Sequence, residues 1–195
     1  MSIDAKLVSD LRAQTGAGMM DAKKALEETQ GDLERAITLL RERGVAKAAK
    51  KADRETHEGR VHSYIHSNGK LGAMVEVLCE TDFVARNEAF IAFCNDLAMH
   101  VSAAEPLYLS RQDVPEDIVA KEKEIYTAEM AGQGKPAEVI TKIIEGKLNK
   151  WYSEVVLLEQ PFIKDEDVTI EEFLKGKIVS LGENMQIRRF ARFNI

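Results

Sequence analysis

An Asn-Gly pair at 68–69 separates two runs of alternating character, Val61-His62-Ser63-Tyr64-Ile65-His66 and Leu71 to Cys79. Asn and Gly both tolerate the positive φ that a type I′ turn requires at its two central positions, so the segment predicts an antiparallel hairpin. In the second run Leu71, Ala73, Val75, Val77 and Cys79 alternate with Gly72, Met74, Glu76 and Leu78, giving one apolar and one mixed face. Such a sheet needs cover on one side only. Helical periodicity supplies the cover. Phe90, Phe93, Cys94, Leu97 and Val101 mark one helix, and residues 116–130, after Pro115, mark a second. A third starts near Pro136 and runs past Gly146 through Leu148, Trp151, Tyr152 and Val155. Ile170, Phe173, Leu174, Ile178 and Leu181 mark the last, which Gly182 ends. Met185, Ile187, Arg189, Ala191, Phe193 and Ile195 then alternate as a third strand that most simply joins the hairpin. The prediction is an α+β core, a small antiparallel three-stranded sheet covered by helices.

The first 44 residues have a different rhythm. Ile3, Leu7 and Leu11 recur four apart; Met20, Lys23, Ala25 and Leu26 follow, then Leu33, Ala36, Ile37 and Leu40. Three short helices are expected, with Gly16 and Gly18 in the first gap, Asp32 as the N-cap of the third and Gly44 just past its end. Residues 45–60, VAKAAKKADRETHEGR, carry no apolar stripe, and from 41 to 60 seven basic residues stand against four acidic ones. They predict a basic helical linker, open to two readings: a solvated spacer, or a contact strip for an acidic partner. The expected organisation is a three-helix module at 1–44, the linker at 45–60 and the core at 61–195.

Chemistry is harder to find. His62 and His66 are four apart, which on a helix would pair them. On a strand rising about 3.3 Å per residue that spacing separates them by roughly 13 Å. No HExxH or CxxC accompanies them, so no metal site is expected. Cys79 and Cys94 lie in apolar runs, as packing thiols do. Glu76, Glu80 and Asp82 cluster in sequence, but nothing encloses them as acid–base catalysis demands. Thr15-Gly16-Ala17-Gly18 lacks the lysine and the preceding strand of a phosphate loop. Neither a catalytic residue nor a cofactor is expected. The net charge of −6 argues against direct nucleic-acid binding. Two cysteines make no disulfide framework, MSIDAKLVSDLRAQ shows no signal peptide, and no apolar window is long enough to span a membrane. A cytoplasmic protein that contacts a partner is the expectation.

Two segments suit contact. In Gly18-Met19-Met20, helix geometry sends Met20 into the small core and Met19 elsewhere, where flexible Met serves docking; alternatively both fill the core. In Thr81-Asp82-Phe83-Val84-Ala85-Arg86-Asn87, a short connection between strand and helix, Phe83 either projects as a rigid wedge or packs beneath while Asp82 caps a turn.

These segments carry a resemblance. Thr15-Gly16-Ala17-Gly18-Met19-Met20-Asp21, Leu39-Leu40-Arg41-Glu42-Arg43-Gly44 with the Lys-Ala-Ala-Lys-Lys that follows, and Glu80 through Asn87 resemble bacterial elongation factor Ts. So do Leu157-Leu158-Glu159-Gln160-Pro161-Phe162 and Gly182-Glu183-Asn184 through Arg188-Arg189-Phe190, all in the same order. The family is the guanine-nucleotide exchange factor of elongation factor Tu. The resemblance implies a ubiquitin-associated-type domain at 1–44 that docks on Tu through Gly18, Met19, Met20 and Lys23. It also implies that Asp82 and Phe83, supported by Thr81 and Val84, intrude beside the Mg²⁺ and phosphate site of Tu and promote GDP release. The chain resembles a short form with one core subdomain, and short members are similar in pairing as homodimers, so a two-plus-two complex is expected. The rival from another class is a ubiquitin-type or nascent-chain adaptor with no exchange activity.

Overall fold

The computed structural model describes residues 3–131 and 136–195. Helices α1 (Ala5–Thr15), α2 (Met19–Glu28) and α3 (Leu33–Ala49) form the N-terminal module. Asp4 caps α1 by accepting from the Lys6 amide at 3.0 Å, and Asp32 caps α3 by accepting from Arg35 at 3.0 Å. Capping of this kind is worth about 1 kcal/mol per helix. Val8, Leu11, Ala22, Ala25, Leu26 and Ala36 are buried together as the module's own small core.

Helix α3 does not stop at Gly44. It runs on to Ala49, so residues 45–60 are the helix's last turn, an irregular stretch and the first residues of a strand, rather than a separate linker helix. Gly44 faces helix α8 (Ile170–Leu181), where an added Cβ would lie 3.9 Å from Val179 Cγ2. That is an ordinary contact distance, and Gly44 sits inside the helix as an interior residue and not as a cap. Ala48, at the end of α3, is buried in the larger core.

That core is built on strands β1 (Glu58–Ile65), β2 (Leu71–Cys79) and β5 (Met185–Asn194), antiparallel in the order β1-β2-β5. Ala73, Val75, Val77 and Cys79 are buried on one face of β2, as the alternation predicts. The hairpin turn differs from type I′. Only Gly69 has positive φ, the Gly69 amide donates to His66 O at 2.8 Å, and the four-residue loop closes with His66 N to Leu71 O at 2.8 Å. A loop of this length needs a single left-handed residue, and glycine meets that need.

Strand β5 also departs from its pattern. Glu76 pairs with Arg189 and Val77 with Ile187, which leaves Arg188 as an extra residue, a β-bulge. One extra residue inverts the alternation beyond it. Met185 and Ile187 are buried, Phe190 packs against the same core, and Phe193 is 69 % exposed on the opposite face. The bulge lets Arg188 and Arg189 both pair with Glu76, whose carboxyl is held below its usual range first by the Arg189 hydrogen bond.

Helix α5 (Glu88–Ala104) lies on the covered face of the sheet, with Phe90, Phe93, Cys94 and Leu97 fully buried. Phe93 meets Phe173 of α8 at 5.1 Å between ring centroids, and Phe173 stacks on Phe162 at 4.4 Å. Helices α6 (Glu116–Met130) and α7 (Ala137–Val155) pack on each other. A two-stranded ribbon of β3 (Pro161–Phe162) and β4 (Asp165–Thr169) then leads into α8; nothing in the alternation announced it. Between β2 and α5 a single helical turn, α4 (Asp82–Ala85), completes the fold.

Candidate partner-binding site

Thr81 has extended backbone and opens α4 as its N-cap, its hydroxyl oxygen accepting from Val84 N at 3.4 Å. Arg86 N donates back to Asp82 O at 3.1 Å, and Asn87 at once caps α5 by accepting from Ala89 N at 2.8 Å. One helical turn is therefore held between two caps. Successive residues of a helix point about 100° apart, so a turn that sends Val84 and Ala85 inward must send Asp82 and Phe83 outward. Ala85 is buried, Val84 packs partly against the core, and Phe83 is 83 % exposed. The alternative of Phe83 packed beneath the connection does not hold, and the capping residue is Thr81, not Asp82. Asp82 instead pairs with Arg86 at 3.1 Å. Full burial of a phenyl ring against a partner is worth about 2–3 kcal/mol in transfer free energy, most of which this fold leaves unused.

In the N-terminal module Gly18 is the N-cap of α2 and makes no side-chain cap. Met19 is 50 % and Met20 64 % exposed, so both methionines face outward; the expectation that Met20 enters the small core is corrected. The residues of α2 buried against α1 and α3 are Ala22, Ala25 and Leu26. Lys23 lies 3.8 Å from Glu27 on the exposed side. Gly18, Met19, Met20 and Lys23 thus share the start of one helix, on the module, while Thr81 to Val84 belong to the core.

Arg12 of α1, Lys47 near the end of α3, and Lys50, Lys51 and Arg54 just beyond it line a cleft of about 590 Å³ between module and core, with Asp21, Val179 and Ser180. Lys47 pairs with Asp21 at 2.8 Å and Arg54 with Glu80 at 3.4 Å, so part of the positive charge is spent inside the molecule.

Both cysteines are free and buried. Burial pushes Cys79 up to about 11, with the Glu183 carboxylate adding to it, and pushes Cys94 up to about 12. Thiols that remain protonated at neutral pH are poor nucleophiles. Among the described residues no group of His, Cys, Asp and Glu is arranged to hold a metal ion, and no helix is long and apolar enough to cross a membrane. Sequence reasoning missed the part played by Glu183, which lies beside Thr81; its only signal was membership in the Gly182-Glu183-Asn184 motif.

A separately cored helical module, with two outward methionines, joined to a core that projects one aromatic residue from a capped turn, defines a protein that works by contact. The family model for Elongation factor TS matches residues 5–179. Elongation factor Ts of Geobacter sulfurreducens is 57 % identical over 193 residues, covering 99 % of this chain and 89 % of the relative. Elongation factor Ts of Thermosipho melanesiensis is 54 % identical over 193 residues, with 99 % and 98 % covered. Elongation factor Ts of Carboxydothermus hydrogenoformans is 52 % identical, also over 193 residues. The chain belongs to the elongation factor Ts family. Its place is in translation elongation, and the adaptor reading is not favoured.

Proposed function

We propose that this chain is a guanine-nucleotide exchange factor that binds elongation factor Tu in its GDP form in the cytoplasm, and is not itself an enzyme. The observation that carries the reading is Phe83, a large apolar side chain left exposed on a turn that capping makes rigid. A GTPase holds GDP through backbone amides, a lysine and Mg²⁺ directed at the phosphates. Pressing the Phe83 ring into that partner, with Asp82 near the metal's water shell, would deform the site and weaken Mg²⁺ and phosphate binding. Factor and nucleotide then antagonise each other with equal coupling in both directions. Thr81 and Val84 support the turn, and Gly18, Met19, Met20 and Lys23 dock the module of residues 1–44 on the partner. No cofactor of the factor's own and no direct nucleic-acid contact enters this mechanism. Mixing the chain with Tu loaded with fluorescent GDP tests it: an exchange factor accelerates release, and an adaptor leaves the rate unchanged.

A homodimer, giving a two-plus-two complex, is the second part of the proposal. The uncovered face of the sheet supports it. Val61, Ile65, Met74 and Phe193 are all exposed there, and Ile65, Gly72 and Phe193 are aligned across the three strands. Contiguous apolar surface on a sheet is seldom left to water, and a second copy offers the same surface.

A further inference from the structure

Beyond the last ladder pair of β2, two consecutive amides are taken by one side chain from the far end of the chain. Glu80 N and Thr81 N donate to Glu183 Oε2 at 3.1 and 3.0 Å, and the Thr81 hydroxyl donates to Glu183 Oε1 at 2.6 Å. The oxygen of that hydroxyl is the one that caps α4. The exchange is reciprocal: the Glu80 carboxylate accepts from Asn184 N at 2.5 Å. Asn184 is buried and donates to Ala52 O at 3.2 Å and Arg54 O at 2.8 Å, while Lys51 donates to Gly182 O. Gly182, at φ 83°, provides the left-handed step that turns the chain from α8 into this loop. Three residues therefore fasten both the exit from the N-terminal module and the entrance to the Phe83 turn.

A four-residue helix has too few internal hydrogen bonds to hold its own orientation, so its flanks must set it. At the C-terminal flank Asn87 caps the next helix. At the N-terminal flank the fastening is a carboxylate with three donors, each bond charge-assisted and stronger than a neutral one. We propose that Glu183 is a positioning residue for nucleotide exchange: by gripping Thr81 it sets the direction in which Phe83 is presented to the partner GTPase. The inference rests on the reading of Phe83 as the intruding residue.

The test uses the full chain and stopped-flow release of fluorescent GDP from Tu. Glu183→Ala is expected to lower the maximal release rate roughly ten- to a hundredfold, the usual cost of displacing a working group by about 1 Å. The half-saturating concentration of the factor should change less than about twofold, because the docking module is untouched. Thr81→Val, which removes the hydroxyl that Glu183 holds, should lower the rate in the same direction. In the Phe83→Ala background Glu183→Ala should cost no more than Asp82→Ala does there, since only the carboxylate, and no ring, remains to be aimed. If the two losses multiply, or if Glu183→Ala is as fast as wild type while Phe83→Ala is slow, Glu183 does not position Phe83. If Phe83→Ala itself is as fast as wild type, the intrusion reading has failed and this inference falls with it. Should Glu183→Ala not fold, Glu183→Gln replaces it, with an intermediate rate loss and faster amide hydrogen exchange at Glu80 and Thr81 expected. Unchanged rate and unchanged amide exchange in that variant would overturn the assignment.

Discussion

The Asp82 carboxylate lies 3.1 Å from the Arg86 guanidinium across one turn of α4, while Phe83, between them in sequence, is left to solvent. The two neighbours are thus separable by mutation. Phe83→Ala should leave the thermal midpoint almost unchanged, because an exposed surface truncation usually moves stability by less than about 0.5 kcal/mol. It should nevertheless slow GDP release roughly thirty- to a thousandfold, from loss of an anchor worth about 2–4 kcal/mol at an interface. Asp82→Ala should do less, and its defect should shrink when Mg²⁺ is chelated, whereas the Phe83 defect persists. Both variants folded and exchanging at the wild-type rate would remove this turn from the mechanism.

The two cores should yield separately. Leu26 is fully buried in the small cluster with Leu11, Ala22 and Ala36, and Leu26→Ala should cost about 2–5 kcal/mol, a large part of what so small a module can hold. Amide hydrogen exchange is expected to rise across α1 and α2 while β2 and α5 stay protected, and affinity for Tu should fall. Truncation at residue 44 is the wrong dissection, since it would cut α3 above Ala48. Equal loss of protection in both regions would mean a single cooperative unit.

His100 makes stability depend on pH. The ring is fully buried; Nε2 donates to Gln160 Oε1 at 3.0 Å, and Nδ1 accepts from Ile163 N at 3.4 Å. The Gln160 amide nitrogen is committed to Ala104 O at 3.0 Å and Glu154 O at 2.7 Å, so its oxygen must be the atom facing the ring. Burial lowers the His100 pKa, more than the Gln160 hydrogen bond raises it. The unfolded chain therefore binds a proton at a higher pH than the folded one. Its contribution is fully present above the unfolded value of about 6.5 and is lost as pH falls toward the folded value. Urea unfolding between pH 7.5 and about 5 should show stability falling with acid, by at most about 1.4 kcal/mol per pH unit for one proton. His100→Gln should flatten that slope; an equally steep profile in the variant would assign it to other groups.

The open face of the sheet predicts the oligomeric state. Phe193→Glu places a charge where Gly72 and Ile65 line up across the strands, and a seam formed on this face would have to bury that carboxylate. Sedimentation equilibrium should give twice the chain mass of 21.8 kDa for the wild type and a monomer for the variant. A wild-type mass that stays monomeric across a wide concentration range would end the proposal.

Much of this protein is local and could be read residue by residue. Alternation over Leu71 to Cys79 identified the buried face of β2, Asp32 and Gly182 marked helix ends, and the third strand joins the hairpin as its pattern required. These features follow from interactions within a few residues, where periodicity and capping carry the information. What tertiary structure decided lies where distant segments meet. Gly44 has the form of a helix stop, yet α3 passes through it and buries Ala48 in the larger core. Met20 has the spacing of a core residue, yet the small core takes Ala22, Ala25 and Leu26 from that helix instead. Arg188 reads as one more strand residue, yet its bulge carries Phe190 inward and Phe193 outward, and alternation cannot reveal an inserted residue. Phe83 was ambiguous because its exposure depends on Val84 and Ala85 filling the core first. The grip of Glu183 on Thr81 spans 102 positions and was invisible for the same reason: a hydrogen bond between segments leaves no period in either one.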